Sequence, residues 1–303
     1  MAMSAVSDTR QNTGMRDAEM FEACFIRASL SKLLHSRHPY DFIETYESLQ
    51  QVFNYQTHYV NLGFWEEGCT TQEAGRSLLE EVAKQLDLQP GNHLLDVGSG
   101  LGQAAVDLCR DYKLGSITGL NINPRQTKFA NMLASREGLA GKVNHFVGDA
   151  CRDLSRFNQQ GITRIIALEC ANHFSLLERF LDMAHDLLGA GGRIALSINT
   201  AGKDLTLKQR WLMQAGFGFV PVSIQKWRQL LDDSGFVKIS TKDVTLYVLN
   251  RGLQYGLDRL QQTDKLGHWS TLQRFYLRLQ LKTALMSVKC GSLKYFIVSA
   301  RID

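Results

Sequence analysis

The sequence predicts an α/β protein: a seven-stranded, mostly parallel sheet with helices on both faces, a helical cap before it and a helical lid inserted before its last strand. Two observations carry this. From residue 92 onward, short runs of branched apolar residues alternate with longer segments whose apolar residues recur at helical spacing. That alternation is the pattern of parallel strands joined by right-handed crossovers. The first strand also runs directly into Asp96-Val97-Gly98-Ser99-Gly100-Leu101-Gly102-Gln103. This reads as a strand end, a glycine turn and a helix start, where the backbone can take positive φ and a ligand can approach the main chain.

Taken in order, residues 1–14 are polar and expected to be disordered. Residues 15–34 carry Met20, Phe21, Cys24, Phe25, Leu30 and Leu33 at helical spacing, which predicts a capping helix. Tyr40-Asp41 and an aromatic stretch from Tyr46 to Trp65 follow; residues 58–65 are too aromatic for a solvent loop and either cover the core or line a site. Residues 71–88 read as a helix capped by Thr70 or Thr71, with Glu73 in its first turn. Its apolar stripe is Leu78, Leu79, Val82, Ala83 and Leu86, and Pro90-Gly91 ends it. Next come a strand at 92–97, a helix at 103–113, a strand at 116–121, a helix at 124–137 and strands at 142–147 and 163–168. A helix ending in Gly189, Gly191 and Gly192 feeds a fifth strand to Ile198. Residues 204–214 and 223–234 are expected as helices, 236–244 as the sixth strand, 249–288 as a long helical excursion and 292–302 as the last strand. The expected division is a tail at 1–14, a cap at 15–88, a ligand-binding core at 89–200 and, at 201–303, the lid with the last two strands.

At 303 residues the chain can form one large domain or two small ones. A net charge of +4 with no basic stripe near the glycine turn argues against nucleic acid. Residues 251–303 hold nine Lys/Arg against three Asp, a basic surface that either meets an anionic substrate or is a solvated helix face. The six cysteines show no C-x-x-C or metal-ligand spacing, so reduced thiols, no metal and a cytoplasmic protein are expected. No 18-residue apolar run predicts a membrane span, and the first thirty residues lack the apolar core of a secretory leader. Assembly stays open, a homodimer being one option.

The glycines are spaced G-x-G-x-G, unlike the dinucleotide pattern G-x-G-x-x-G, and an acid stands two residues ahead of them. A carboxylate there is unfavourable beside a pyrophosphate and favourable beside a ligand with an ammonium and an uncharged ribose. S-adenosylmethionine has both; a nicotinamide or other nucleotide is the alternative. In such a sheet the residues just past the strand ends face the ligand.

The stretch at 94–103 resembles the first motif of the class I S-adenosylmethionine-dependent methyltransferases, and the chain follows the order of that Rossmann-like family from about Tyr40 to Asp303. The resemblance implies a cofactor site made of Asp96, Gly98, Gly100 and Gly102, then Asn121, Ile122 and Gln126, then Asp149 and Ala150. Asn121 stands where most of the family has an acid for the ribose hydroxyls. Being uncharged, it would accept a weaker bond. The run Gly119-Leu120-Asn121-Ile122-Asn123-Pro124-Arg125-Gln126 is similar to the branch of sterol, tocopherol, cyclopropane-fatty-acid and sugar methyltransferases, with Ile122 against the adenine. Asp149 would accept from the adenine amino group and the Ala150 N–H would serve a ring nitrogen; the plain alternative for Asp149 is a turn cap. Tyr40 and Trp65 would close over the methionine end, or belong to the core.

After the fourth strand stands Glu169-Cys170-Ala171-Asn172-His173-Phe174, where the transferable methyl should point. The Asn/Asp-Pro-Pro-aromatic motif of amino-methylating DNA enzymes is absent, as are a Pro-Cys nucleophile and the clustered acids of the magnesium-dependent catechol type. What remains resembles the Glu-x-x-x-His element of the small-molecule branch, with Glu169 in the cofactor site. Methyl transfer is an in-line displacement, in which aligned reactants can supply roughly 7–11 kcal/mol. A hydroxyl acceptor must also lose a proton, for which a histidine suits near neutrality. His173 is therefore either the general base or a loop cap. Phe217, Phe219, Trp269, Phe275 and Tyr276 either shape an apolar acceptor pocket or form the core of a helical subdomain. The function expected is S-adenosylmethionine-dependent methylation of oxygen on a small, largely apolar metabolite in natural-product biosynthesis. The alternatives are methylation of carbon or nitrogen on a lipid, isoprenoid or aromatic acceptor, and a cofactor-binding fold that no longer methylates.

Overall fold

The computed structural model describes residues 57–203, 205–262 and 271–303. Its strands are β1 (His93–Val97), β2 (Ser116–Asn121), β3 (Val143–Val147), β4 (Arg164–Leu168), β5 (Arg193–Ala201), β6 (Val237–Asp243) and β7 (Leu293–Arg301). They form one sheet in the order β3-β2-β1-β4-β5-β7-β6. Strands β1 to β5 pair in parallel, and β7 runs antiparallel between β5 and β6. The helices are α1 (Thr71–Ala83), α2 (Gln103–Asp111), α3 (Pro124–Arg136), α4 (Leu177–Leu188), α5 (Leu207–Phe217), α6 (Ile224–Asp233), α7 (Arg251–Gln261) and α8 (Thr271–Lys289).

Successive side chains of a strand point to opposite faces, and this splits the core into two layers. Leu94, Ile117, Ile166, Ala195 and Ile297 pack into one with residues of α1, α2, α7 and α8. Leu95, Leu120, Ile165, Leu196 and Val298 pack into the other, under α4 and α6. Helices cover both faces, and the pair inserted between β6 and β7 joins the first layer.

Local sequence sets the element starts. Thr70, not Thr71, caps α1: its Oγ accepts the Glu73 N–H while the Glu73 carboxylate accepts the Thr70 N–H. Asn123 caps α3 through the N–H groups of Arg125 and Gln126, with Pro124 in the first turn, where its missing N–H costs nothing. The helix expected at 204–214 begins at Leu207, because Thr206 and Gln209 build a capping box there. The expected helix at 71–88 ends at Ala83, and a 3-10 turn carries the chain to Asp87 at φ +49°. The excursion at 249–288 is not one helix: a π turn, Leu246–Asn250, opens into α7, which ends at Gln261, and α8 starts at Thr271. The expected tail, the capping helix and Tyr40 lie outside the described residues. No helix among the described residues is long and apolar enough to cross a membrane.

Candidate active site

Because β1, β2 and β4 are parallel neighbours, Val97 pairs with Leu120 and with Ala167, and the loops leaving all three strands meet on one edge of the sheet. The glycine loop folds back over β2: the Gly98 N–H donates to the Leu120 carbonyl at 2.7 Å and the Gly102 N–H to the Ser99 carbonyl at 3.0 Å. Gly98 has φ +69°, and a Cβ there would lie 2.5 Å from the Cβ of Cys170. Gly102 has φ +84°, and its Cβ would lie 2.7 Å from that of Ala130. Both positions thus demand glycine for conformation and for protein packing.

Beside this loop Asp96 is buried, 2% exposed, and its Oδ2 has no hydrogen-bond partner. Loss of water pushes its pKa up to about 7. Asp96 lines a narrow cavity with Gly98, Ser99, Gly100 and Gln103 on one side and His58, Tyr59, Val60 and Asn61 on the other. The aromatic segment therefore closes over the glycine turn. It is held there by the buried Tyr59 hydroxyl, which donates to Asp107 on α2, and Asp107 also accepts from Gln103 at 3.0 Å. A buried, partnerless carboxylate oxygen beside a glycine loop is what a ligand ammonium would complete, so the residues present fit S-adenosylmethionine.

At the end of β2, Asn121 is buried. Its Nδ2 donates to the Gly100 carbonyl at 3.3 Å and to Gln126 Oε1 at 2.9 Å. The amide thus ties the glycine loop to α3, with Gln126 as the partner that sequence reasoning placed nearby. Ile122 follows it and stands 42% exposed. Asp149 makes turn contacts: Oδ1 accepts the Cys151 N–H at 2.9 Å, and Oδ2 lies 3.5 Å from Arg152. Ala150 is buried beside it.

The end of β4 carries an unusual backbone. Glu169 adopts φ +57°, a region that side-chain-bearing residues leave unless they are held. Three side-chain contacts hold it. Its N–H donates to Ser197 Oγ at 3.0 Å, the Tyr295 hydroxyl donates to Oε1 at 2.7 Å, and the Leu62 N–H donates to Oε2 at 2.8 Å. Burial pushes its pKa up to about 7, against the lowering effect of the Tyr295 and Leu62 bonds. Next to it the Cys170 thiol donates to the Val97 carbonyl, and burial raises its pKa out of reach of ionisation.

A 3-10 turn, Ala171–His173, then carries His173. Asn172 and Asn199 latch this turn to β5 by two bonds, 2.7 and 2.8 Å. The His173 ring meets Phe219 edge-on at 5.1 Å. It stands at the surface among protein groups that partly strip its water and hold its pKa below 6.5, which leaves a neutral imidazole at pH 7. His173 and Phe219 are thus brought together. Trp65 is not: it is buried, stacks on Tyr255 at 4.1 Å and donates to the Leu62 carbonyl. It covers the core against α7, and the cavity lining lacks it. Phe275 stands 53% exposed on α8. Trp269 and the side chains of Phe217 and Tyr276 lie outside the described residues. Among the described residues no group of His, Cys, Asp and Glu could hold a metal.

Sequence reasoning missed Tyr295, Asn172, Asn199, Tyr59, Asp107 and the buried His145. The pairings join residues 27 to 126 positions apart, and no spacing rule reaches that far. His145 carried one local sign, a polar residue inside an apolar strand facing Gly119 across the sheet.

Residues 31–235 match the family model of mycolic acid cyclopropane synthetase. An erythromycin 3''-O-methyltransferase of Saccharopolyspora erythraea is 29% identical over 260 residues, covering 80% of this chain and 83% of that protein. A 27-O-demethylrifamycin SV methyltransferase of Amycolatopsis mediterranei is 26% identical over 204 residues, 66% of this chain and 73% of that one. The solved structure of mycolic acid cyclopropane synthase CmaA1 with S-adenosylhomocysteine and CTAB shares the fold, with a TM-score of 0.70 at 19% identity over 84% of this chain and 94% of that one.

Proposed function

This chain belongs to the mycolic acid cyclopropane synthetase family and is an S-adenosylmethionine-dependent methyltransferase of small molecules; from that premise we propose that it methylates an oxygen of a small, largely apolar natural product, with His173 as general base. The bound cofactor supplies a methyl on a sulfonium whose departure leaves a neutral thioether, so no acid is needed at that end. The chain's own work is to orient and to take a proton. The acceptor oxygen forms its bond to the methyl carbon as the S–CH3 bond breaks, and the hydroxyl proton passes to the His173 imidazole.

The observation that carries this reading is the placement of His173: past the end of β4, latched through Asn172, kept neutral, and beside the apolar ring of Phe219. The activities of the two relatives, an erythromycin 3''-O-methyltransferase and a 27-O-demethylrifamycin SV methyltransferase, support the same acceptor class. Asp96 and the glycine loop hold the methionine end, Asn121 and Gln126 fix the ribose side, and Ile122 meets the adenine.

The test is His173→Ala with candidate hydroxylated acceptors. General-base removal costs about 10²–10⁴ in kcat, while S-adenosylhomocysteine affinity stays within about twofold if only the chemical step is touched. In the unaltered enzyme kcat rises with pH through the acid range, with the midpoint of the rise below the ordinary histidine value, as the lowered pKa of His173 requires. Turnover near that of the unaltered chain would remove His173 as the base. Transfer to carbon is the second reading, favoured by the description of the family model; a carbon-13 methyl label in the product distinguishes the two by its chemical shift.

A further inference from the structure

His145 lies under the glycine loop, and none of the chemistry above uses it. Its seat is built on several sides. Asn131 on α3 takes both of its backbone groups, donating to the carbonyl at 2.9 Å and accepting the N–H at 2.8 Å. Gly119, its partner across the sheet, leaves it room: a Cβ there would lie 2.0 Å from Nδ1. Gly102, where α2 begins, does the same, with a Cβ 3.1 Å from Nε2. Nδ1 meets Ser99 Oγ at 3.1 Å, and Ser99 is buried and lines the cavity beside Asp96.

The ring is 4% exposed, and burial pushes its pKa down to about 4. It is neutral at pH 7, with a proton on one nitrogen and a lone pair on the other. Nε2 is buried without a partner. A buried N–H without an acceptor is rarer in folded proteins than an acceptor without a donor, and this assigns the proton to Nδ1. Ser99 Oγ then accepts from the ring, so its own hydroxyl proton must be donated elsewhere, and the open direction is the cavity.

We propose that His145 is a positioning residue of the cofactor loop: by donating to Ser99 it turns the Ser99 hydroxyl into the cavity as a donor for the carboxylate of the cofactor's methionine end, while Asp96 meets the ammonium. The assignment rests on the glycine loop being the cradle of that end, and it depends neither on the acceptor nor on His173. It also explains why β2 carries a glycine at 119, inside a strand where glycine is unfavourable.

Calorimetry of the full chain with two ligands tests it. S-adenosylhomocysteine has the amino-acid end; 5′-methylthioadenosine keeps the nucleoside and lacks that end. Loss of a hydrogen bond to a charged group predicts that His145→Leu and Ser99→Ala each weaken S-adenosylhomocysteine by about 10- to 100-fold and methylthioadenosine by less than about threefold. His145→Asn, whose amide N–H falls near the Nδ1 position, recovers most of the loss. Because the two residues act as one unit, the double variant binds no more weakly than either single one. Equal weakening of both ligands, additive losses, or unchanged S-adenosylhomocysteine binding would overturn the assignment. Should His145→Leu not fold, Ser99→Ala decides alone by the same ligand contrast. No binding of either ligand by the unaltered chain would overturn the cradle reading together with this one. Failure to methylate any hydroxyl would overturn only the proposed reaction.

Discussion

Asp96 gives the sharpest test of the cofactor site, because its buried carboxylate is a liability until a ligand completes it. Its pKa rises from 3.8 to about 7, and at about 1.36 kcal/mol per pKa unit this is a cost of about 4 kcal/mol for holding the charge in the fold. The sign follows from proton uptake. Below pH 3.8 folded and unfolded chains both hold the proton and nothing is lost. Between 3.8 and 7 the unfolded chain has released it and the folded chain has not, so stability falls as pH rises, and above 7 the full cost remains. Asp96→Asn removes that cost but buries an amide with a partnerless group, worth about 1–3 kcal/mol in the other direction. The variant is therefore expected to be more stable at pH 8 by about 1–3 kcal/mol, a gain in Tm of roughly 2–4 °C for each kcal/mol, and the gain shrinks at pH 5. The same change removes the partner of the ligand ammonium, so S-adenosylhomocysteine affinity falls by about tenfold or more.

In the unaltered chain, binding drives ionisation of Asp96, so below pH 7 affinity climbs by up to about tenfold per pH unit as one proton is released. Glu169 also titrates near 7, which makes the variant, and not pH alone, the discriminating arm: Asp96→Asn flattens the slope. Thermal melts at both pH values and calorimetry in two buffers of different ionisation enthalpy read these quantities. Unchanged ligand affinity in Asp96→Asn, or no gain in Tm at pH 8, refutes the reasoning.

Three further outcomes follow from single contacts. Asn121→Asp weakens S-adenosylhomocysteine binding and lowers stability by about 1–3 kcal/mol, because the amide donates to Gly100 and Gln126 and a carboxylate cannot; tighter binding in titration would show that a charged bond to the ribose outweighs these two contacts. Gly98→Ala places a Cβ 2.5 Å from Cys170 at φ +69°, and overpacking of about 1–3 kcal/mol with about 1–2 kcal/mol of left-handed strain lowers Tm by several degrees. Tyr295→Phe removes the hydroxyl that favours the charged form of Glu169, so the pKa of Glu169 climbs further. Its Tm then falls below that of the unaltered chain at pH 8 by the equivalent of about 1–3 kcal/mol and converges with it at pH 5.

The sheet was legible because its signals are local. Leu94 and Leu95 must face opposite layers, Pro124 and Asn123 announce α3, and three glycines with an acid ahead of them mark the first loop wherever the chain is read. The lid was not legible. Residues 249–288 have helical spacing throughout, yet Asn250 and Gln262 bound a separate helix, and nothing local distinguishes a helix end from a continuation. Trp65 was ambiguous for a related reason. An aromatic residue serves a core and a pocket equally well, and only Tyr255, 190 residues later in the chain, decides between them.

Glu169 shows where the limit lies in physical terms. As a letter in Glu-x-x-x-His it reads as one more polar group facing the ligand. In the fold it sits in a backbone region that costs about 1–3 kcal/mol for a residue with a side chain, and it is kept there by β5 through Ser197, by β7 through Tyr295 and by the covering segment through Leu62. Two of those partners are 107 and 126 residues away. The carboxylate is thus the joint at which the segment over the cofactor cavity is fastened to the strand that follows the lid. The covering segment and β7 share one side chain as a partner, four residues ahead of His173. An acid at 169 is thus accounted for by the fold itself: a single group satisfies two distant donors where the chain leaves β4.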